Sequence, residues 1–151
     1  EIQREREKRR EGHMAPKLSS TTLLAKAAET VPELMVEEAF SRHGDPEWLL
    51  VDTRAASELI KTGKIAGALH VPRQSIEFHV DPEMEVEDKY IPEMNSAKNL
   101  VLYCKTGRRS MLACKTLQDM GFDNVYNLQG GIEEWKRKDL PVEEVVETKF
   151  P

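Results

Sequence analysis

The stretch Leu100-Val101-Leu102-Tyr103-Cys104-Lys105-Thr106-Gly107-Arg108-Arg109-Ser110 passes from an unbroken apolar run, through a cysteine and a cationic turn, into a helical pattern. An apolar run without alternation belongs to a strand covered on both faces, as in a parallel sheet. From Ser110 to Met120 the apolar residues Leu112, Ala113, Leu117 and Met120 fall on one side of a helix, and Gly121 stops it. The unit is therefore strand, turn, helix. Sheets of this kind bind ligands beyond the carboxyl ends of their strands, which is where Cys104 is delivered.

The same alternation extends in both directions. Downstream, Val125 to Leu128 reads as a strand, then Gly130-Gly131, then a helix through Lys136. Upstream, Trp48-Leu49-Leu50-Val51 is a second buried strand stopped by Asp52, followed by a helix over Ala55 to Thr62 that Gly63 ends. Ala68 to Val71 is a short strand broken by Pro72, and Arg73 to Ser96 reads as a long loop with one helical turn. Val36 to His43 reads as a helix closed by Gly44-Asp45-Pro46, and Ser20 to Ala28 as a helix ending before Pro32. Strands alternating with helices predict an α/β fold, a central parallel sheet flanked by helices on both faces.

Residues 1–14 read as a tag-derived or disordered tail: Gly12-His13-Met14 looks like a cloning scar, and the eleven residues before it have almost nothing apolar to bury. Residues 15–33 are expected as an N-terminal helical extension, 34–145 as the domain and 146–151 as a C-terminal tail. At 151 residues, with 39% apolar and 32% charged residues, the chain is long enough for one packed core. A net charge of −5 argues against a nucleic-acid partner. The absence of a long apolar run argues against a membrane partner, and two cysteines without a signal-peptide core suit a cytoplasmic setting.

A lone cysteine at a strand end would read as a buried structural thiol. Here three effects converge on Cys104. The turn can aim backbone N–H groups inward, the following helix adds positive potential at its N-terminus, and Lys105, Arg108 and Arg109 bring three cations. Each favours thiolate over thiol, so Cys104 is the candidate nucleophile. Gly107 permits the tight path. Cys114, inside the helix with no such surroundings, reads as a packed spectator. The four histidines have no metal-site spacing, so no metal is expected.

Cys104-Lys105-Thr106-Gly107-Arg108-Arg109-Ser110 resembles the active-site loop of the rhodanese family, in which four residues separate cysteine from arginine. Leu49-Leu50-Val51-Asp52-Thr53-Arg54 resembles that family's first strand. Gly63-Lys64-Ile65-Ala66-Gly67-Ala68 resembles its Gly-His-Ile-x-Gly-Ala segment, with Lys64 in place of histidine. Leu128-Gln129-Gly130-Gly131-Ile132-Glu133-Glu134-Trp135 resembles its C-terminal signature. The Arg73–Ser96 connection resembles a bacterial single-domain branch with an extended Pro-Arg…Glu-Phe loop. The likeness runs from about Leu34 to Val142.

The resemblance implies a rhodanese-like fold and a sulfurtransferase. Its Cys104 takes sulfane sulfur from thiosulfate or a persulfide and yields it to cyanide, a thiol or a protein acceptor, without a cofactor. Lys105, Thr106, Gly107, Arg108, Arg109 and Ser110 would then bind the donor. Asp52 and Arg54 would support the loop through hydrogen bonds and an ion pair, and His70 would be structural. Arg73 is either a wall of the site or a solvated charge, and Phe78 is expected to be packed. Phosphatases of the related cysteine–arginine kind place five residues between the two, and here that position is Ser110. A sulfur-carrier or binding module is the remaining alternative. The oligomeric state is open.

Overall fold

Along the chain of this computed structural model, which describes residues 1–85 and 89–147, two helices come first, α1 (Ile2–Arg10) and α2 (Ser20–Ala28). Then follow β1 (Glu33–Leu34), α3 (Val36–Ser41), β2 (Trp48–Asp52), α4 (Ala56–Thr62), β3 (Lys64–Ile65) and β4 (Leu69–His70). A 3-10 turn (Arg73–Ser75) runs into α5 (Ile76–His79), and α6 (Glu93–Ser96) precedes β5 (Asn99–Tyr103). The chain continues through α7 (Arg108–Asp119), β6 (Val125–Leu128), α8 (Gly131–Arg137) and β7 (Val142–Glu143).

Five strands form one parallel sheet in the order β1-β6-β5-β2-β4, with β5 at its centre. Alternate residues of β5 feed two separate cores, as period-2 geometry requires. Leu100 and Leu102 join Ala27 of α2, Ile76 of α5 and Ala113 and Leu117 of α7. Val101 and Tyr103 join Val36 and Ala39 of α3 and Ile132 and Trp135 of α8. The expected fold class is thus the observed one, a parallel sheet covered by helices on both faces.

Several local expectations change. Arg73 to Ser96 holds three helical pieces rather than one turn, with residues 86–88 outside the described ones. Apolar anchors explain them: Ile76, Val80 and Met94 are buried in the α2–α7 core. The helix expected from Ser110 begins at Arg108, because Gly107 takes a left-handed φ of 103° just before it. Two-residue β1 had no strand signature of its own; it exists through its pairing with β6, Glu33 opposite Asn127 and Leu34 opposite Leu128. The small antiparallel pair β3–β7 was likewise invisible in sequence. Residues 2–10, within the stretch read as a tag-derived or disordered tail, form a helix that buries no side chain. Helix α2 is packed into the core beside α7, where Thr30 Oγ1 lies 2.8 Å from Gln118 Oε1. Of the C-terminal tail, residues 148–151 lie outside the described ones.

Candidate active site

Cys104 follows the last residue of β5, the central strand, and its side chain is buried. Two bonds from one neighbour fix the strand end: Thr53, just past β2, donates both its N–H (2.9 Å) and its hydroxyl (2.8 Å) to Tyr103 O. The turn then folds back on the sulfur. Gly107 N–H donates to Cys104 Sγ at 3.1 Å, and Ser110 Oγ lies 3.4 Å from it. Burial pushes the Cys104 thiol up. The Ser110 hydroxyl and the backbone N–H groups of Ser110, Gly107 and Thr106 push it down further, so it sits below its ordinary value.

Beneath the turn lies a buried amide that sequence reading did not single out. Asn127 of β6 donates through Nδ2 to Gly107 O (3.0 Å) and to Glu33 Oε2 of β1 (3.1 Å), and its Oδ1 accepts from Ser110 Oγ at 2.6 Å. The carbonyls at the start of the turn are held by α8: Ile132 N–H donates to Cys104 O (3.0 Å) and Glu133 N–H to Lys105 O (3.2 Å). Gly131 makes this approach possible, since a Cβ there would stand 2.4 Å from Lys105 O and 2.5 Å from Cys104 O.

The three cations do less than the sequence suggested. Lys105 is exposed and faces Glu133 at 3.7 Å, while Arg108 is exposed. Water screens charges so placed. Arg109 alone is held by a bidentate pair, with Glu58 of α4 (2.6 and 3.0 Å), and is partly exposed. The pair raises the Arg109 guanidinium and lowers the Glu58 carboxyl, and Arg109 keeps three N–H donors beyond those given to Glu58. What lowers the Cys104 thiol is therefore the hydrogen bonding within its own turn. Glu58 went unnoticed because 51 residues separate it from its partner.

Asp52 and Arg54 form a buried ion pair at 2.8 Å, and Arg54 N–H also donates to Asp52 Oδ1 (3.0 Å). Burial lowers the Arg54 guanidinium, but Asp52 outweighs it and leaves it above its ordinary value. His70 Nε2 lies 2.7 Å from Arg54 O. Lys64, standing where the resemblance has histidine, pairs with Glu143 at 2.9 Å. Cys114 is buried, 3.5 Å from Tyr126 O, and burial raises its thiol, with the Cys104 and Glu33 charges adding to the effect.

Arg73 and Arg109 line one cleft of about 370 Å³ with Thr53, Glu77 and Thr116. Arg73 is tied to the strand ends through its N–H, which donates to Thr53 O at 3.0 Å. Phe78, expected to be packed, is 50% exposed, because Ile76 rather than Phe78 is the side chain this short helix turns toward the core. Among the described residues no group of three or more His, Cys, Asp or Glu side chains could hold a metal, and no helix is long and apolar enough to cross a membrane.

The family model for the rhodanese-like domain matches residues 35–138. A "Sulfurtransferase" of Allochromatium vinosum is 34% identical over 113 residues, covering 74% of this chain and 94% of that protein. The "Putative sulfur carrier protein YrkF" of Bacillus subtilis is 30% identical over 74% of this chain, which spans 54% of that protein. Among solved structures, a Rhodopseudomonas palustris protein described as "Possible Tyrosine Phosphatase" superposes with a TM-score of 0.81 at 31% identity, covering 87% of this chain and 98% of that one. A thiosulfate sulfurtransferase of Pseudomonas aeruginosa shares the fold at a TM-score of 0.65 and 22% identity, covering 83% of this chain and 22% of that one. With a family model over more than half its length and a relative alike over most of both chains, this chain belongs to the rhodanese-like family.

Proposed function

We propose that the protein is a sulfurtransferase that carries sulfane sulfur as a persulfide on Cys104. One observation carries the reading: a buried cysteine at the end of the central strand receives the Gly107 N–H at 3.1 Å in a turn that lowers its thiol. A thiolate held this way attacks the outer sulfur of thiosulfate or of a persulfide; the donor's S–S bond breaks and sulfite or a thiolate leaves with the electron pair. The turn N–H groups then face the anionic persulfide, a preorganised arrangement of the kind that stabilises developing charge. Arg109, with N–H donors remaining, and Arg73 supply the positive wall for an anionic donor. Cyanide, a thiol or an acceptor protein removes the sulfur. No cofactor enters these steps, and a reducing cytoplasmic setting keeps the thiol available. The relatives named as sulfurtransferase and sulfur carrier support the reading.

The similar Rhodopseudomonas palustris protein, described as a possible tyrosine phosphatase, makes a second reading worth testing. Against it stands the spacing of four residues between Cys104 and Arg109, with the buried Ser110 at the position such enzymes give to arginine.

The test is mass spectrometry after exposure to thiosulfate or a persulfide. The native protein should gain sulfur on Cys104. Cys104→Ser should keep its fold and gain none, because a hydroxyl is not ionised at neutral pH and attacks sulfane sulfur poorly. Hydrolysis of p-nitrophenyl phosphate that vanishes in Cys104→Ser, without sulfur loading in the native protein, would favour the phosphatase reading instead.

A further inference from the structure

Cys104 lies at the end of β5, whereas two groups that face its sulfur, Gly107 N–H and Ser110 Oγ, lie at the start of α7. How α7 begins over the sheet therefore sets their distance from the sulfur. Gly107 stands at the joint in a left-handed conformation, φ 103°, and a glycine leaves such a conformation at little cost. The joint holds only if the sheet pins it.

Asn127 is placed to be that pin. In β6 it stands opposite Leu102 of β5 on one side and Glu33 of β1 on the other, so its side chain shares the sheet face that α7 covers. Three groups surround the buried amide. Gly107 O, which already accepts from Met111 N–H (3.2 Å), takes one Nδ2 hydrogen at 3.0 Å, and Glu33 Oε2 takes the other at 3.1 Å. Ser110 Oγ meets Oδ1 at 2.6 Å. Two acceptors and one donor call for two donors and one acceptor on one small planar group, which is what asparagine carries. A carbonyl and a carboxylate can only accept, and this fixes which way the amide faces.

We infer that Asn127 is a positioning residue for sulfur transfer, pinning the start of α7 to the sheet so that Gly107 N–H and Ser110 Oγ meet Cys104 Sγ, and that Glu33 holds the amide from the edge strand. The inference rests on the sulfurtransferase reading and adds a line of support running from an exposed carboxylate to a buried sulfur. At Glu33, charge and positioning act with opposite signs. Its negative charge opposes a thiolate nearby, so its removal would quicken Cys104 if charge were the whole effect. Its hydrogen bond steadies the amide, so loss of that bond slows Cys104.

The experiment measures two rates at Cys104 in the full chain: alkylation by iodoacetamide across pH, and sulfur loading from thiosulfate by rapid quench and mass spectrometry. Asn127→Asp keeps the shape and the acceptor for Ser110 but loses both donors. Its alkylation profile should move up by about one pH unit and its loading at neutral pH should fall about tenfold, the scale of one hydrogen bond to a charged group. Adding Glu33→Gln restores the net charge of the pair and gives the new carboxylate a donor, yet leaves Gly107 O without its second one, so loading should stay slow. Glu33→Ala, at an exposed position, keeps the fold and should load about threefold more slowly. Glu33→Gln alone keeps an acceptor for Nδ2 and should match the parent. Val125→Ala opens a cavity on the same strand and face, so it should lose stability and keep both rates. If Asn127→Asp does not fold, the Glu33 variants decide. Loading by Glu33→Ala at or above the parent rate, full recovery in the double variant, or equal slowing by Val125→Ala would each overturn the positioning role. Alkylation needs no sulfur donor, so it tests Asn127 even if nothing loads Cys104, the result that would end the sulfurtransferase reading.

Discussion

Asn127 uses both Nδ2 hydrogens, on Gly107 O and Glu33 Oε2, which leaves Oδ1 as an acceptor only. Ser110 has a single hydroxyl proton to share between Asn127 Oδ1 at 2.6 Å and Cys104 Sγ at 3.4 Å, so its bond to the sulfur is the weaker of the two, and the rest of the support of a Cys104 thiolate comes from the N–H groups of the turn. Ser110→Ala should therefore still be alkylated by iodoacetamide at Cys104 well below an ordinary thiol value of about 8.5. It should also lose roughly 1–3 kcal/mol of stability, because the buried Asn127 Oδ1 loses its donor. A pH profile moved up to that of a free thiol would show that the hydroxyl, not the backbone, holds the charge. At this scale Cys104 and Gly107 were legible in the sequence, since strand end, cysteine and glycine are adjacent. Asn127 was not: it stands 17 residues from Ser110, and as an unremarkable strand residue it gave no sign of what it would face.

Among the elements, α8 acts as the clamp of the cysteine turn, offering two N–H groups from its first turn to the carbonyls of Cys104 and Lys105. The clamp depends on Gly131, whose φ of 61° is left-handed and whose missing Cβ leaves room for two carbonyl oxygens. Gly131→Ala pushes a methyl against backbone that cannot yield without moving the turn. It should cost roughly 1–3 kcal/mol from strain at the left-handed position, with overpacking added, and slow sulfur loading onto Cys104. Denaturant unfolding and the loading assay check the two effects. Gly121→Ala serves as the comparison: its φ of 106° is also left-handed but nothing lies within 4 Å, so it should lose stability and keep its loading rate. The Gly130-Gly131 pair was visible in sequence as a turn before a helix; what it approaches was not, because Cys104 and Lys105 come from another strand's end.

Across the whole molecule, Arg54 joins parts that are otherwise separate. Its guanidinium binds Asp52 at the end of β2, Thr62 Oγ1 (2.9 Å) and Gly63 O (2.7 Å) at the end of α4, and its carbonyl meets His70 of β4. Arg54→Met keeps bulk but strands the Asp52 carboxylate, which is fully buried, without its counter-charge. Breaking one side of such a pair should cost about 3–5 kcal/mol, measured by chemical denaturation. A loss under about 1 kcal/mol would mean that water reaches Asp52 in the variant.

The amino-acid sequence alone determined the alternation of strands and helices, the parallel sheet and the cysteine turn at its carboxyl edge. Each is written in residues next to one another: an apolar run, a glycine stop, a cysteine between a strand and a helix. Tertiary structure decided the rest. β1 became a strand because β6 lay beside it, and the Arg73–Ser96 connection became partly helical because Ile76, Val80 and Met94 had a core to enter. Arg109 was fixed by its pair with Glu58, while Lys105 and Arg108 were left exposed to water. Arg73, either wall or solvated charge from sequence, lines a cleft with Thr53 and Arg109 and is exposed to water. Hydrogen bonds and ion pairs across tens of residues leave no periodic trace in a chain; only folding brings their partners within reach.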